Sequence, residues 1–429
     1  MKPLRLTLAL AAWLAAPGLA LAAWLAAPGL ALAAPDAAYL PPEPLVLQAI
    51  AVHPDVQAAA ARASRAEAEA RGLAAGPHEP TLSLMSQQRR VQGGLDYREY
   101  EAQLSRGVRL PGKARLDREI GRLGREVAGL QLADAEHQAA RLLLAQWMEW
   151  LRAEAGVAQA QAQLALVQRD RDAIARRVAA GDAARRDLDS AQAAAAQVRA
   201  QATAAAARCE AARIALRTTF PSIPLPERAP ALPEPVADDT GAQRHIDHIV
   251  SRSHEIGAAE REAERLERAA LRARAERRPD PSVALRWLDE RGGEERSLGV
   301  VVSIPFGGAL RSANADAQRA SAEAGSAVAE GMRRLIQREA EQTVRQADAA
   351  WRLWRDSWQA LEAVRASTGK VRRAYALGEA GIAELIAAQR QEQDSALAEA
   401  EARANALEAA LRIRVDAHEL WHDAGDNDA

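Results

Sequence analysis

Histidines and clustered acids are the residues through which this 429-residue chain could do chemistry. His245, His248 and His254 fall within one short segment. His418 and His422 are four apart, a spacing that places two imidazoles on one face of a helix and could ligate a transition metal. No cysteine or firm acidic cluster completes either set, so the expectation is that no metal is bound. Cys209 is the single cysteine, which excludes an internal disulfide framework and any paired zinc-ligand motif. Asp182 and Asp187, with Arg185 and Arg186 between them, lie beside Gly181, and Glu379 and Glu384 lie beside Gly378. The sequence carries no G-x-S-x-G, HExxH, Walker loop or dinucleotide fingerprint, so neither catalysis nor a cofactor is expected. A net charge of −2, with Arg and Glu interspersed, argues against a nucleic-acid surface.

Prolines outline the elements that must position these residues. The ring removes an amide donor and clashes with the preceding turn, so long proline-free intervals are where long helices fit. None occurs between Pro111 and Pro221, or after Pro305, and both intervals are rich in Ala, Leu, Arg, Glu and Gln. A helix from about Lys113 to Ala180 would extend on the order of 100 Å at ~1.5 Å per residue. Shorter proline-free stretches run from Asp55 to Gly76 and from Gly241 to Arg278.

Each shorter stretch precedes a strand region. Residues 80–91 and 97–110 flank Gly93-Gly94, and 281–290 and 296–306 flank Gly292-Gly293, the pattern of tight hairpin turns that need positive φ. Leu298, Val300, Val302, Ile304 and Phe306 share one face of the fourth segment. Tyr100, Ala102, Leu104, Val108 and Leu110 share one face of the second, interrupted by Arg106. The first is weaker, because Ser86, Gln88 and Arg90 follow Leu82 and Leu84 on the same face. Trp147 and Trp150, and Trp351, Trp354 and Trp358, recur at helical spacing and are expected to pack between helices.

The same order of elements returns about 200 residues later. Pro54-Asp55-Val56 is echoed by His254-Glu255-Ile256, and Gly112-Lys113-Ala114-Arg115 by Gly308-Ala309-Leu310-Arg311. GDAARRDLDSAQ from Gly181 aligns without a gap to GEAGIAELIAAQ from Gly378, matching Leu188 to Leu385. The chain therefore reads as a first repeat over 35–235 and a second over 237–429. The first holds a β-hairpin at about 80–110, a helical hairpin at about 112–219 and a Pro-rich linker at 220–236. The second holds a β-hairpin at about 281–306 and a helical hairpin at about 309–422. Residues 1–34, with Lys2 and Arg5 before a long Ala/Leu stretch that contains AAWLAAPGLAL twice, read as a secretory signal peptide. Beyond them no apolar run reaches the ~20 residues of a spanning helix, so any membrane insertion must use strands.

This duplicated order resembles the TolC family of outer-membrane efflux proteins, and the LPGKAR turn at Leu110–Arg115 resembles that of the CzcC-like branch. The resemblance implies a mainly α chain with membrane β-hairpins. In the homotrimer, four strands per chain close a twelve-stranded β-barrel in outer-membrane lipid, above an α-barrel of long helical hairpins in the periplasm. It implies a passive exit duct for substrates such as metal cations or drugs. The expected partners are a periplasmic membrane-fusion adaptor and an inner-membrane pump of the resistance-nodulation-division type. Val300, Val302 and Ile304 would face lipid. Gly181, Leu188, Gly378 and Leu385 would mark the adaptor-docking tips, and Asp182, Arg185, Arg186, Asp187, Glu379 and Glu384 a gate. The alternative is a periplasmic coiled-coil adaptor or scaffold without a pore, which predicts one central hairpin between β domains in mirror order.

Overall fold

Helix α3 (Pro111–Ala179) and helix α7 (Ala309–Leu377) are each 69 residues long, uninterrupted where the sequence lacks proline. Pro111 occupies the first turn of α3, where a missing amide costs nothing. Around them the elements of a computed structural model, which describes residues 39–238 and 241–422, recur in matched lengths. Helices α1 (Glu43–Ala51) and α2 (Pro54–Ala75) lead into strands β1 (Thr81–Arg90) and β2 (Asp96–Gly107), then α3 and α4 (Arg185–Thr219). Helices α5 (Ala242–Ser251) and α6 (His254–Ala275) lead into β3 (Ser282–Glu290) and β4 (Glu295–Ser303), then α7 and α8 (Ile382–Asp416). Both α2 and α6 have 22 residues, and both α4 and α8 have 35. The signal-peptide expectation falls outside the described residues.

α3 packs along α2, α4, α6 and α8, and α7 along α5, α6 and α8. Small residues permit this lateral packing. A Cβ on Gly121 would sit 3.0 Å from the Ala70 Cα, so a larger residue there would push α2 and α3 apart by a few tenths of an ångström. Trp147 and Trp150 are buried edge to face, with centroids 4.9 Å apart. Trp354 is buried and donates to Glu399 at 2.9 Å, whereas Trp358 is 41% exposed on the single chain.

The strands form one antiparallel sheet in the order β1-β2-β3-β4, in which β2 pairs with β3 across the two halves. Neither hairpin closes through a two-residue turn. Residues 91–95 join β1 to β2, and a short 3-10 turn at Arg291–Gly293 precedes β4, with Gly93, Gly292 and Gly293 at positive φ. β1 forms over ten residues despite its polar sequence, because cross-strand pairing to β2 supplies what its own pattern lacks.

Candidate functional site

Register aligns the outward side chains of the sheet into rows. Leu84, Ala102, Trp287 and Leu298 are neighbours across all four strands, and so are Leu82, Leu104, Leu285 and Val300. Val283 pairs with Val302 below them. Leu82, Leu84, Leu298 and Val300 are 63–74% exposed, an area of apolar surface that a soluble monomer rarely shows. Ile304 is also exposed but lies one residue beyond β4, so it continues the face without belonging to the strand. The opposite face is polar. Arg286 makes a bidentate pair with Glu101 at 2.7 Å, and Glu99, 2% exposed, accepts from Gln87 at 2.7 Å and pairs with Arg89 at 3.2 Å. One apolar and one polar face are what the wall of a membrane β-barrel carries. β1 and β4 each pair on one side only, so the sheet presents two open edges.

Beneath the sheet, the LPGKAR turn anchors a charge network. Lys113, 1% exposed, lies 2.8 Å from Asp280 and 3.0 Å from Glu276. Asp280 also accepts from the Leu110 amide at 3.2 Å and bonds His78 at 2.8 Å. Burial alone would raise the Asp280 pKa, but bonds from His78 and Lys113 outweigh it and hold the carboxyl at about 2. Arg109 and Arg272, one from each half, both grip Asp117, at 2.9 and 2.7 Å. Sequence reasoning singled out the motif but missed these partners, since Asp280 and Arg272 lie in the other half.

At the far end, Gly181 and Gly378 both adopt φ +79°. Each closes its long helix with paired bonds: Asp182 N to Arg177 O at 2.8 Å with Gly181 N to Val178 O at 3.0 Å, and Glu379 N to Ala374 O at 2.9 Å with Gly378 N to Tyr375 O at 3.1 Å. This Schellman closure needs a left-handed residue, which explains glycine at both positions. Leu385 is buried and Leu188 half-buried, while Asp182, Glu379 and Glu384 are exposed. The arginine that meets Asp182 is neither Arg185 nor Arg186 but Arg177, at 3.3 Å, and Arg177 also reaches the Tyr375 hydroxyl of the other half at 3.4 Å. The Arg186 side chain pairs with the adjacent Asp187 at 3.7 Å, and Arg185 approaches Asp189 at 4.0 Å. Helical periodicity turns Arg185 and Arg186 away and brings the preceding helix's last turn onto the acid.

The histidines regroup across the two sequence sets. α8 ends at Asp416, so His418 and His422 do not share a helical face; they follow the helix in a turn with His418 at φ 57° and Trp421 at φ 58°. His418 nonetheless stacks between His422 and His254, with both centroid separations 4.5 Å, and His137 of α3 meets it edge-on at 4.9 Å. His245 and His248 face Asp238 and Glu419 instead. Burial, followed by the neighbouring His254, depresses the His418 pKa to about 3; burial, followed by Arg141, depresses that of His137 to about 2. Cys209 is buried and its thiol is pushed up to about 11 by burial and by its bond to Glu154, which disfavours the nucleophilic thiolate.

Among the described residues no helix is long and apolar enough to cross a membrane. Known protein families and curated proteins give no sequence match. Solved structures do match. The chain is similar to CusC, in a structure describing transmembrane channel formation, with TM-score 0.76 and 14% identity over 89% of this chain and 93% of that one. It is similar to the outer-membrane protein VceC of Vibrio cholerae, with TM-score 0.73 and 17% identity over 87% and 95%. It is similar to the MtrE outer-membrane channel of Neisseria gonorrhoeae in its open state, with TM-score 0.71 and 18% identity over 89% and 90%. Long helices in paired hairpins, joined to a four-stranded sheet, are thus the fold this chain shares with these outer-membrane proteins.

Proposed function

We propose that this protein is the outer-membrane exit duct of a tripartite efflux system and works as a homotrimer without catalysis. The observation that carries the reading is the four-stranded sheet with an apolar outer face, a polar inner face and two open edges. Four strands cannot close a barrel, since the smallest have about eight, and unpaired edges are not tolerated in lipid. Three copies joined β4 to β1 would satisfy every edge. From Leu298 to Ile304 the apolar face extends about 20 Å at ~3.3 Å per residue, close to the roughly 25 Å band of outer-membrane barrels.

In this reading the chain consists of two tandem repeats, 35–235 and 237–429. Val300, Val302 and Ile304 face lipid. The tips at Gly181, Leu188, Gly378 and Leu385 dock a periplasmic adaptor, which links the duct to an inner-membrane pump of the resistance-nodulation-division type. Asp182, Asp187, Glu379 and Glu384 line the entrance. The substrate is set by the pump, and membership of the CzcC-like branch rests on the LPGKAR turn. Reconstitution of the purified protein in planar bilayers tests the reading: trimers should give discrete conductance steps. A protein that washes from membranes as a monomer, without conductance, would overturn it.

A further inference from the structure

We propose that His254, His418 and His422 form a binding site for a borderline divalent transition cation of the zinc, cobalt, nickel or copper type. Each offers one ring nitrogen, and the three nitrogens lie within 4.8 Å of one another. The site joins the first residue of α6 to the turn after α8, so a bound ion would staple the end of the second helical hairpin to the start of the second half. Three imidazoles with no thiolate suit a borderline ion, and a water in the fourth position completes tetrahedral coordination.

Two independent features point to a built site. The first is the backbone. His418 and Trp421 hold left-handed φ where glycine is favoured, and the turn these strained residues make is what delivers both His418 and His422 to His254. The second is the surroundings. Cavities of about 280 Å³ lined in part by His418 and about 120 Å³ lined in part by His422 flank the cluster. Positive charge nearby is largely committed elsewhere. Arg141 is bound to Asp416 at 2.7 Å, Arg412 to the same carboxylate at 2.8 Å, and Arg252 donates to the Ala417 carbonyl at 2.6 Å, bracing the turn.

The rings are stacked rather than convergent, at interplanar angles of 19° and 16°. Nitrogens around a tetrahedral zinc at ~2.0–2.1 Å lie roughly 3.3 Å apart, so binding must rotate His254 and His422 inward. Both are half-buried, whereas His418, 8% exposed, is the buried ligand between them.

Cobalt titration of the full chain purified in detergent tests the site, followed by visible absorption, with circular dichroism verifying that each variant is folded. The expected result is one cobalt per chain with the intense bands of tetrahedral coordination, displaced by zinc. His422→Ala and His254→Ala should each weaken binding on the order of tenfold or more, and His248→Gln, outside the cluster, should leave it unchanged. His422→Ala is informative even if His418→Ala does not fold, because it alters a half-buried side chain beyond the last helix. Absence of stoichiometric binding, or binding that survives both His422→Ala and His254→Ala, would overturn the proposal. Neither result bears on bilayer conductance, so the site stands or falls separately from the duct.

Discussion

Lys113 and Asp280, from opposite halves of the chain, form a buried ion pair 2.8 Å long directly beneath the four-stranded sheet. Its lysine belongs to the hairpin-to-helix turn of the first half, and its aspartate lies two residues before β3 of the second. The pair thus holds the β2–β3 junction, the one strand pairing that no hairpin enforces.

Removing one member should be worse than removing both. Lys113→Met leaves Asp280 buried without its cation, and breaking a buried pair in this way costs about 3–5 kcal/mol. The double variant Lys113→Met with Asp280→Asn should recover a large part of that loss, because no uncompensated charge remains. Denaturant unfolding of the parent and three variants measures the coupling. Additive effects would mean that the two residues act separately.

Acid should act on the same junction. The Asp280 carboxyl is held at about 2, below its ordinary value of 3.8. A depressed carboxylate contributes stability above the unfolded pKa and loses it as pH falls through the folded one, so the loss belongs between roughly pH 4 and pH 2. A shift of this size corresponds to about 2 kcal/mol. Asp280→Asn should be less stable than the parent at neutral pH, with the gap narrowing over that window. A gap that stays constant with pH would remove Asp280 from the acid response.

The sheet's sidedness gives a third expectation. Val300 lies on the apolar face opposite Leu285, and Ser297 on the polar face opposite Leu288. A lipid-facing arginine costs about 2–4 kcal/mol near the bilayer midplane, and lumen substitutions cost far less. Val300→Arg should therefore reduce the amount of trimer in the outer membrane, whereas Ser297→Arg should assemble and alter only conductance. Heat-stable trimer on gels reads the difference, and equal yields from the two variants would reverse the assigned faces.

The periodic parts of this fold were legible because helix and strand each write their period into the chain. Proline-free intervals marked α3 and α7, and alternation at Leu298, Val300 and Val302 marked β4. Contacts between the halves were not legible, since pattern within a segment says nothing about its partner. Lys113 was visible within its turn, but Asp280 was not visible as its counter-ion. The histidines illustrate the same limit from the other side. Spacing suggested His418 with His422 on a helix, yet the helix stops at Asp416, and it is the turn beyond it that brings in His254. β1 escaped its own pattern because its neighbour β2 determines its register.

The tips carry the prediction that departs furthest from the sequence. Arg185 and Arg186 are the bases nearest the acids in sequence, but neighbours on one helix do not face each other, so the restraining base is expected from the adjacent hairpin or subunit. Arg177 lies in the last turn of α3, pairs with Asp182 at 3.3 Å, and lies 5.9 Å from the Tyr375 ring centroid while reaching its hydroxyl. It is thus the residue that ties the tip of the first helical hairpin to the last turn of α7. Such a half-exposed pair contributes only about 0–1 kcal/mol to stability, so its loss should leave folding and trimer yield unchanged. What it should change is closure. Arg177→Ala frees two adjacent tips in each of three copies, and single-channel recordings should show larger or more frequent open steps. Tyr375→Phe should do so more weakly, because it removes the hydroxyl contact and keeps the ring. Arg186, exposed and with its side chain paired to the residue beside it, is the control, and Arg186→Ala should behave as the parent does. Asp187→Asn should lower any preference for cations if the tip acids line the entrance. If Arg177→Ala leaves conductance unaltered while Arg186→Ala raises it, restraint runs through a contact between subunits rather than the one between hairpins of a single chain.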